Sequence, residues 1–423
     1  GETAEKQVSL MSGTNVWLKL RGSKIYKPYP YLLDSNKEVW ELPYSYILNH
    51  TVEEIIENAE KAPKDIKRLF YLIEKVKIKL FLNKTDATEK FFMPKKYSID
   101  QILKKHKFVF LALHGGFGED GTFQRILESK KIKYNGSGSA TSKLCMDKWE
   151  TNEFVEKSNI LGVSVAKHIL LKVKNIPKVL KNEYINAYWN MLLKKLETKV
   201  IIVKPRGDGC SAGVVRLFNE KDLLAYINLL RNKVEIAQPN TFSNQLNTVN
   251  MPEEKVSDII FESFIDTDKL KIKDGFITHV LKSGYIEMTV GVVEENLTKN
   301  GASKIHALSP SITVAEMTIL SVEEKFQGGT GINITPPPNE IISNKNIEKV
   351  KNLVETIARK VGILGYARMD IFAHIKTGNI IVIEINTLPG LTPSTVFYHQ
   401  ALAENPPIFP LELLEKIIKN SGY

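Results

Sequence analysis

The stretch ARMDIFAHIKTGNIIVIEINTLPGLTPST, Ala367 to Thr395, constrains this 423-residue chain more tightly than any other. Ala367 to Ile375 and Asn379 to Ile385 are rich in Ile, Val and Phe, and the polar Lys376-Thr377-Gly378 between them reads as the turn of an antiparallel hairpin. A three-residue loop with Gly378 in the left-handed conformation pairs Asp370 with Glu384 and Arg368 with Asn386, all on one pleat face. A loop one residue shorter would put them on opposite faces. On one face Asp370, Glu384 and Asn386 offer only oxygen atoms, the hard ligands Mg2+ prefers, with the remaining positions left for phosphates and water. Arg368 beside them can neutralise a developing oxyanion. The plainer reading is a charged solvent face on an edge hairpin. Acids embedded in runs this apolar are expected to be buried and paired instead.

At 43% hydrophobic, a chain of this length can bury a sizeable core and is expected to split into two or three domains. No apolar run approaches the length of a membrane span; the strongest, Phe108 to Leu113, suits a buried strand. There are 58 Lys and Arg against 48 Asp and Glu, a net charge of +10. Only eight of the basic residues are arginine, and the lysines are scattered among Glu and Asn. The excess therefore reads as compositional bias rather than a nucleic-acid surface, although anionic substrates suit it. Cys145 and Cys210 supply neither a disulfide framework nor a metal set, so a reducing compartment is expected. The chain opens Gly1-Glu2-Thr3 without a methionine, which fits a removed N-terminal piece and a longer parent chain equally.

Residues 1–137, 138–265 and 266–423 read as three successive units. The first opens on a helix-like run with Glu5 at its start, and a strand is expected just before such a turn. Residues 20–60 look irregular and aromatic, with Thr51 to Ala59 helical, and Asn83 to Lys96 reads as a polar loop. The strand Phe108 to Leu113 then runs into His114 and the glycines of HGGFGEDGT, with a helix from near Asp120. Free N–H groups at such a helix start attract a carboxylate or phosphate. The spacing of Gly115, Gly118 and Gly121 is not the dinucleotide fingerprint, and by itself it fits a packing turn as well.

In the second unit a helix carries Lys148 beside Asp147, and the strand Lys199 to Lys204 leads into KPRGDGCSAGVV. Gly207, Gly209 and Gly213 would make a flexible lid whose amides fold over phosphates, with Lys204 at its base. The spacing of a Walker loop is absent, and either lysine taken singly reads as solvated. Residues 238–250 form a polar excursion, and IIFESFIDTD a strand ending at Glu262. In the third unit, strands are expected at Gly275 to Val280 and Tyr285 to Val293, where Glu287 alternates with apolar neighbours. The long loop Thr318 to Pro338 carries Lys325 and Phe326 before a glycine pair and suits a functional cover. A helix from Asn346 to Val361 precedes the hairpin and two helices follow it.

In this order, AEKQVSLMSG, HGGFGEDGTFQ, YNGSGSATSKLCMDK, KPRGDGCSAGV and RMD followed by EINTLPGLTPS resemble the motifs of the D-alanine–D-alanine ligases of the ATP-grasp superfamily. The likeness spans nearly the whole chain, and the longer spacers look more like the plant-type branch. It implies an α/β ATP-grasp fold in a three-domain α+β architecture. An N-terminal parallel-sheet (pre-ATP-grasp) domain would occupy 1–137, a central subdomain with the glycine lid 138–265, and a catalytic, metal-binding subdomain 266–423. The implied activity is ATP-dependent joining of D-alanine to D-alanine through an acyl phosphate, for peptidoglycan precursor synthesis. The cytoplasm is the expected setting and a plastid stroma the alternative; the family is commonly a homodimer.

The resemblance also implies roles. Asp370, Glu384 and Asn386 would hold two Mg2+ ions, or Mn2+, bridging ATP phosphates. Lys148 and Lys204 would hold phosphates, joined by Lys325 when the long loop closes. Glu262 would lie at the adenine hinge and Glu287 would reach the ribose. Glu5 would position the first D-alanine's ammonium, with His114 near that substrate. Arg368 and the Gly390 amide would stabilise the tetrahedral oxyanion, and Thr395 would help seat the second carboxylate. Cys210 and Phe326 stand where the family usually has Ser and Tyr, which reduces a Glu–Ser–Tyr link to Glu5 with Cys210 or Ser211. In the family the change to Phe is associated with D-lactate as second substrate. D-Alanine remains the expectation, with D-lactate, another ATP-grasp acceptor or an impaired nucleotide-binding homologue as alternatives.

Overall fold

Ala367, Met369, Ile371 and Ala373 alternate along one run, and a strand is the conformation that sends all four to one side. The computed structural model describes residues 5–47, 51–79, 93–175, 182–207, 212–252, 256–273, 276–296, 303–314 and 332–421. In it these residues lie on strand Tyr366–His374, in the middle of a seven-stranded sheet. The order is Ile332–Ile334, Ser311–Val314, Tyr285–Asn296, Tyr366–His374, Ile380–Asn386 and Val163–Val165, with Ser303–Ala307 also pairing with Tyr285–Asn296. Every ladder is antiparallel except that of Val163–Val165, which runs parallel to Ile380–Asn386. The stretch 138–265 thus lends a strand to the sheet of the hairpin.

Helix Asn344–Val361 covers the apolar face of this sheet, burying Ile347, Val350, Val354, Ile357 and Ala358 along one stripe. The Ser343 hydroxyl accepts the Asn346 N–H at its start, and Gly362 ends it at φ 84°, in the left-handed region. Each fully buried Val or Ile is worth roughly 1.5–3 kcal/mol, so a polar group at Val354 would loosen the sheet beneath the hairpin.

The hairpin reaches its expected register by an unexpected route. Its loop holds four residues, Ile375 to Gly378, because the His374 N–H donates to Asn379 O at 2.8 Å and the Gly378 N–H to His374 O at 2.8 Å. Gly378 is left-handed, at φ 66°. From this turn Ala373 pairs with Ile380 and Ile371 with Val382. Continued unbroken, that ladder would oppose Asp370 to Ile383 and turn Glu384 into the core beside Val382. A bulge absorbs Ile383 instead, and beyond it Asp370 faces Glu384 and Arg368 faces Asn386. The extra loop residue and the bulge cancel.

A second sheet of four antiparallel strands runs His168–Lys172, Asp258–Ser263, Ile201–Pro205, Val215–Leu217. Ile201, Val203, Val215, Leu217, Ile259 and Phe261 point to one side, into a core shared with helices Asn182–Leu196 and Glu220–Arg231. The alternate residues, Lys204 and Glu262 among them, face the other way. Residues 236–237 and 249–250 pair as a short ribbon at the base of the polar excursion.

Helix Lys6–Leu20 starts after Glu5, as expected. The region taken as irregular contains antiparallel strands Tyr31–Leu33 and Glu38–Glu41, joined by Lys95–Ser98. The helix expected from Thr51 to Ala59 continues through Pro63 to Lys79. Phe108–Val109 and Lys133–Tyr134 form a parallel pair. An apolar cavity of about 650 Å³ lies between helix Lys6–Leu20 and this pair, walled by Trp17, Ile55, Ile102 and Phe110 among others; none of the hairpin residues lines it. Among the described residues no helix is long and apolar enough to cross a membrane.

Candidate active site

Past the bulge, the hairpin sets four polar side chains on one sheet face. Arg368 Nη2 donates to Asp370 Oδ2 at 2.8 Å and lies 3.6 Å from Glu384 Oε1. The Thr289 hydroxyl, from the neighbouring strand, donates to Asp370 Oδ1 at 2.8 Å, and Asn386 Nδ2 donates to Glu384 Oε1 at 3.3 Å. Arg368 and Asp370 are only 9% and 7% exposed, so Asp370 is buried and paired as expected, whereas Glu384 is half-buried. Burial opposes the charge on Arg368, but Asp370 and Glu384 more than offset it and hold the guanidinium above its ordinary range. Asp370, Glu384 and Asn386 still converge as an all-oxygen donor set, which fits a hard divalent cation and would not suit a soft one.

The loop after the hairpin is pinned to the first helix. His114 is buried, with Nδ1 2.9 Å from Leu388 O and Nε2 2.9 Å from the Ser12 hydroxyl. Leu388 O can only accept, so Nδ1 carries the proton and Nε2 accepts from Ser12. The Ser12 oxygen in turn accepts the Leu391 N–H at 3.1 Å. Burial pulls the His114 pKa down to about 4, which keeps this neutral tautomer. Asn15 Nδ2 donates to Leu391 O at 2.7 Å. The Thr395 hydroxyl donates to Gly390 O at 2.7 Å and caps helix Val396–Leu402. The Gly390 N–H finds no acceptor among the described residues.

Glu119 lies in the same place, although sequence reasoning passed over it. Its carboxylate accepts the Gly115 N–H at 3.1 Å and the Leu388 N–H at 3.4 Å. Burial, and then the nearby charge of Glu5, push its pKa up to about 7. The signal that exposed Asp370, an acid inside a chain segment bound to be buried, was present in HGGFGEDG too.

On the second sheet, Lys204 Nζ lies 2.7 Å from Glu262 Oε1, and Asn152 Nδ2 donates to the same oxygen at 2.9 Å. Asp147 caps helix Lys148–Lys157 by accepting the Trp149 and Glu150 N–H groups, and Arg206 Nε donates to both Asp147 oxygens at 2.9 Å. The Lys148 N–H donates to Arg206 O at 3.2 Å, so this clamp sets Lys148 beside the strand end that carries Lys204. Glu287 is exposed, on the face of the large sheet that also carries Thr289 and Asp370.

Residues 1–137 match the family model described as D-ala D-ala ligase N-terminus, and residues 273–419 the one described as D-ala D-ala ligase C-terminus. A D-alanine–D-alanine ligase of Leptospira interrogans serogroup Icterohaemorrhagiae serovar Lai (strain 56601) is 30% identical over 297 residues, 70% of this chain and 68% of that protein. The chain belongs to the D-alanine–D-alanine ligase family. A ligase of Pediococcus pentosaceus is 27% identical over 409 residues, 95% of this chain and 91% of its own. Among solved structures, the D-alanine–D-alanine ligase from Coxiella burnetii superposes with a TM-score of 0.62 at 17% identity, covering 100% of this chain and 92% of that one. The VanG D-Ala:D-Ser ligase from Enterococcus faecalis gives 0.61 at 18%, covering 100% and 97%. At these identities the likeness speaks for the fold alone, which is ATP-grasp.

In this member of the D-alanine–D-alanine ligase family, the candidate residues that the structure brings together form two groups, Arg368, Asp370, Glu384, Asn386, His114, Gly390 and Thr395 around the hairpin, and Lys148, Lys204 and Glu262 at the second sheet. Cys210, Ser211, Lys325 and Phe326 lie outside the described residues. Residues Ser12, Thr289 and Asn152 escaped sequence reasoning because a lone hydroxyl or amide in a helix or strand carries no local mark of a long-range partner.

Proposed function

We propose that the chain joins two D-alanine molecules with ATP, and the constellation of Arg368, Asp370, Glu384 and Asn386 carries that reading. A carboxylate is a poor acceptor for an amine. In the first step a carboxylate oxygen of one D-alanine attacks the γ-phosphorus of ATP, the bond to the β-γ bridging oxygen breaks, and ADP leaves. In the second, the amine of the other D-alanine attacks the acyl phosphate carbon and gives up a proton, and the tetrahedral oxyanion collapses with loss of inorganic phosphate.

Each group has a task in that sequence. Asp370, Glu384 and Asn386 would hold Mg2+, whose charge offsets that of the phosphoryl oxygens. Arg368 and the Gly390 N–H stabilise the oxyanion, being preorganised donors in a buried setting. Thr395, its proton committed to Gly390 O, is better assigned to holding that amide in place than to seating a carboxylate. Glu5 takes the ammonium of the first D-alanine, with Glu119 behind it. Lys148 and Lys204 hold phosphates, Glu262 lies at the adenine end and Glu287 reaches the ribose. The division at 137 and 265 belongs to this reading, supported by separate cores under the two sheets. The relatives named above are bacterial, which favours a cytoplasmic setting over a plastid stroma. The fold likeness to VanG lends D-serine no support, because it speaks for the fold alone.

The test is phosphate release from ATP and Mg2+ with D-alanine, L-alanine and D-lactate offered separately and the products weighed by mass spectrometry. Release with D-alanine alone, yielding the dipeptide, is expected; ester formation from D-lactate as the dominant product would overturn the assignment.

A further inference from the structure

Arg216 sits on edge strand Val215–Leu217 and opposes Ile202, which opposes Glu262 on its other side. Directly opposed residues in an antiparallel ladder send their side chains to one face. Arg216 therefore shares its face with Glu262 and, two residues along from Ile202, with Lys204, while Val215 and Leu217 enter the apolar core behind. Its guanidinium carbon lies 4.1 Å from the centroid of the Phe264 ring. Phe264 is the second residue after Glu262, on the same side of the hinge.

This cation has a ring beneath it but no hydrogen-bond acceptor at Nε, which is buried. The exposed Asp266 carboxylate supplies a favourable charge but no ion pair with it among the described residues. A guanidinium stays charged and points its N–H donors in a rigid planar fork. A buried donor left unmet costs free energy, and such an orphan is satisfied by an acceptor that arrives from outside. The acceptor's nature follows from position. Strand Ile201–Pro205 runs toward the glycine lid, so the phosphate end lies beyond Lys204. Arg216 lies on the row of Glu262, one row farther from the lid and beside Phe264, where the base end of a nucleotide belongs.

We propose that Arg216 contacts the base of the bound nucleotide, its guanidinium held flat on Phe264 and donating to acceptor nitrogens of the purine ring. The assignment rests on the ATP reading above and adds to it a residue that no motif marked. It also explains why an arginine, rather than one of the many lysines, stands on this strand: stacking and a planar fork are properties of the guanidinium.

Arg216→Gln and Arg216→Lys, compared with wild type, test it through competition by ADP and by inorganic tripolyphosphate, which has phosphates and no base. Arg216→Gln should raise the KM for ATP and the inhibition constant of ADP about tenfold, as loss of a charged hydrogen bond implies. The tripolyphosphate constant, kcat and the KM for D-alanine should stay unchanged, and Arg216→Lys should fall between. An arginine that merely packs would change the thermal midpoint and leave ADP binding alone, and that result would overturn the proposal. So would parallel weakening of ADP and tripolyphosphate, which would place Arg216 at the phosphates. Wild-type protein that binds neither competitor would overturn the ATP reading and this assignment with it.

Discussion

Lys204 and Glu262, buried on adjacent strands, hold each other at 2.7 Å while Asn152 donates to the same carboxylate oxygen. The pair ties the strand leading to the lid to the strand leading to the hinge. Lys204→Met would leave a buried carboxylate with Asn152 alone, a loss of about 3–5 kcal/mol. Adding Glu262→Gln removes the stranded charge and should restore much of that stability, although ATP affinity stays low in every variant. Urea unfolding of the four proteins measures the coupling; stabilities that add within about 0.5 kcal/mol would rule the pairing out.

Arg368→Lys keeps a positive charge next to Asp370 but loses the planar fork. If Arg368 serves the oxyanion, kcat for phosphate release should drop roughly 100-fold while the KM for ATP changes little. A rise in KM at unchanged kcat would instead make it a ground-state binding group.

Glu119 and His114 should give opposed pH signatures. The folded protein holds the Glu119 proton up to about pH 7, whereas the ordinary carboxyl value is 4.5. Its contribution is therefore complete at acid pH and is lost as pH rises toward and through 7. His114, lowered from 6.5 to about 4, contributes fully above its ordinary value and loses that contribution as pH falls. In Glu119→Gln the first contribution vanishes, so the variant should gain on the order of 3 kcal/mol relative to wild type between mildly acid and neutral pH. Denaturant unfolding at both ends of that window decides it, and a constant difference between the two proteins would mean that Glu119 ionises normally.

Deleting Ile383 removes the bulge. The ladder from the turn would then run on in one phase, and Glu384, now following Val382 directly, would stay opposite Asp370 with Asn386 opposite Arg368. Phosphate release should therefore be largely retained, because both facing pairs are kept. Loss of activity in a variant whose urea midpoint is unchanged would show that the bulge itself sets the carboxylates.

The hairpin was the most legible part of the sequence because strand alternation and a turn glycine leave few registers, and burial of one face selects among them. What could not be read was the route. A four-residue loop followed by a bulge and a three-residue loop without one give the same partners for Asp370 and Arg368, and only the strand between differs. Glu119 and the Ser12–His114–Leu391 chain were missed for another reason: their meaning depends on residues hundreds of positions away. The bond from the Thr395 hydroxyl to Gly390 O was invisible on the same ground, since a cap that also braces a loop looks in sequence like any loop threonine. The clamp beside Lys148 and the carboxylate beside Lys204 were equally invisible, although strand and loop pattern drew attention to both lysines.

The bonds from the first helix to the loop after the hairpin have a consequence for synthesis. Asn15 binds the Leu391 carbonyl and the Tyr398 hydroxyl, partners 376 and 383 positions away. A chain emerging from the ribosome N-terminus first must keep helix Lys6–Leu20 waiting, its polar groups on water, until almost all the rest has been made. The two sheets can form as their own strands appear, but the wall of the reaction chamber closes last. A nascent chain, or one clipped before Leu391, carries the strands of the second sheet while lacking this wall, so the first helix finds its partners only after the loop beyond the hairpin has been made.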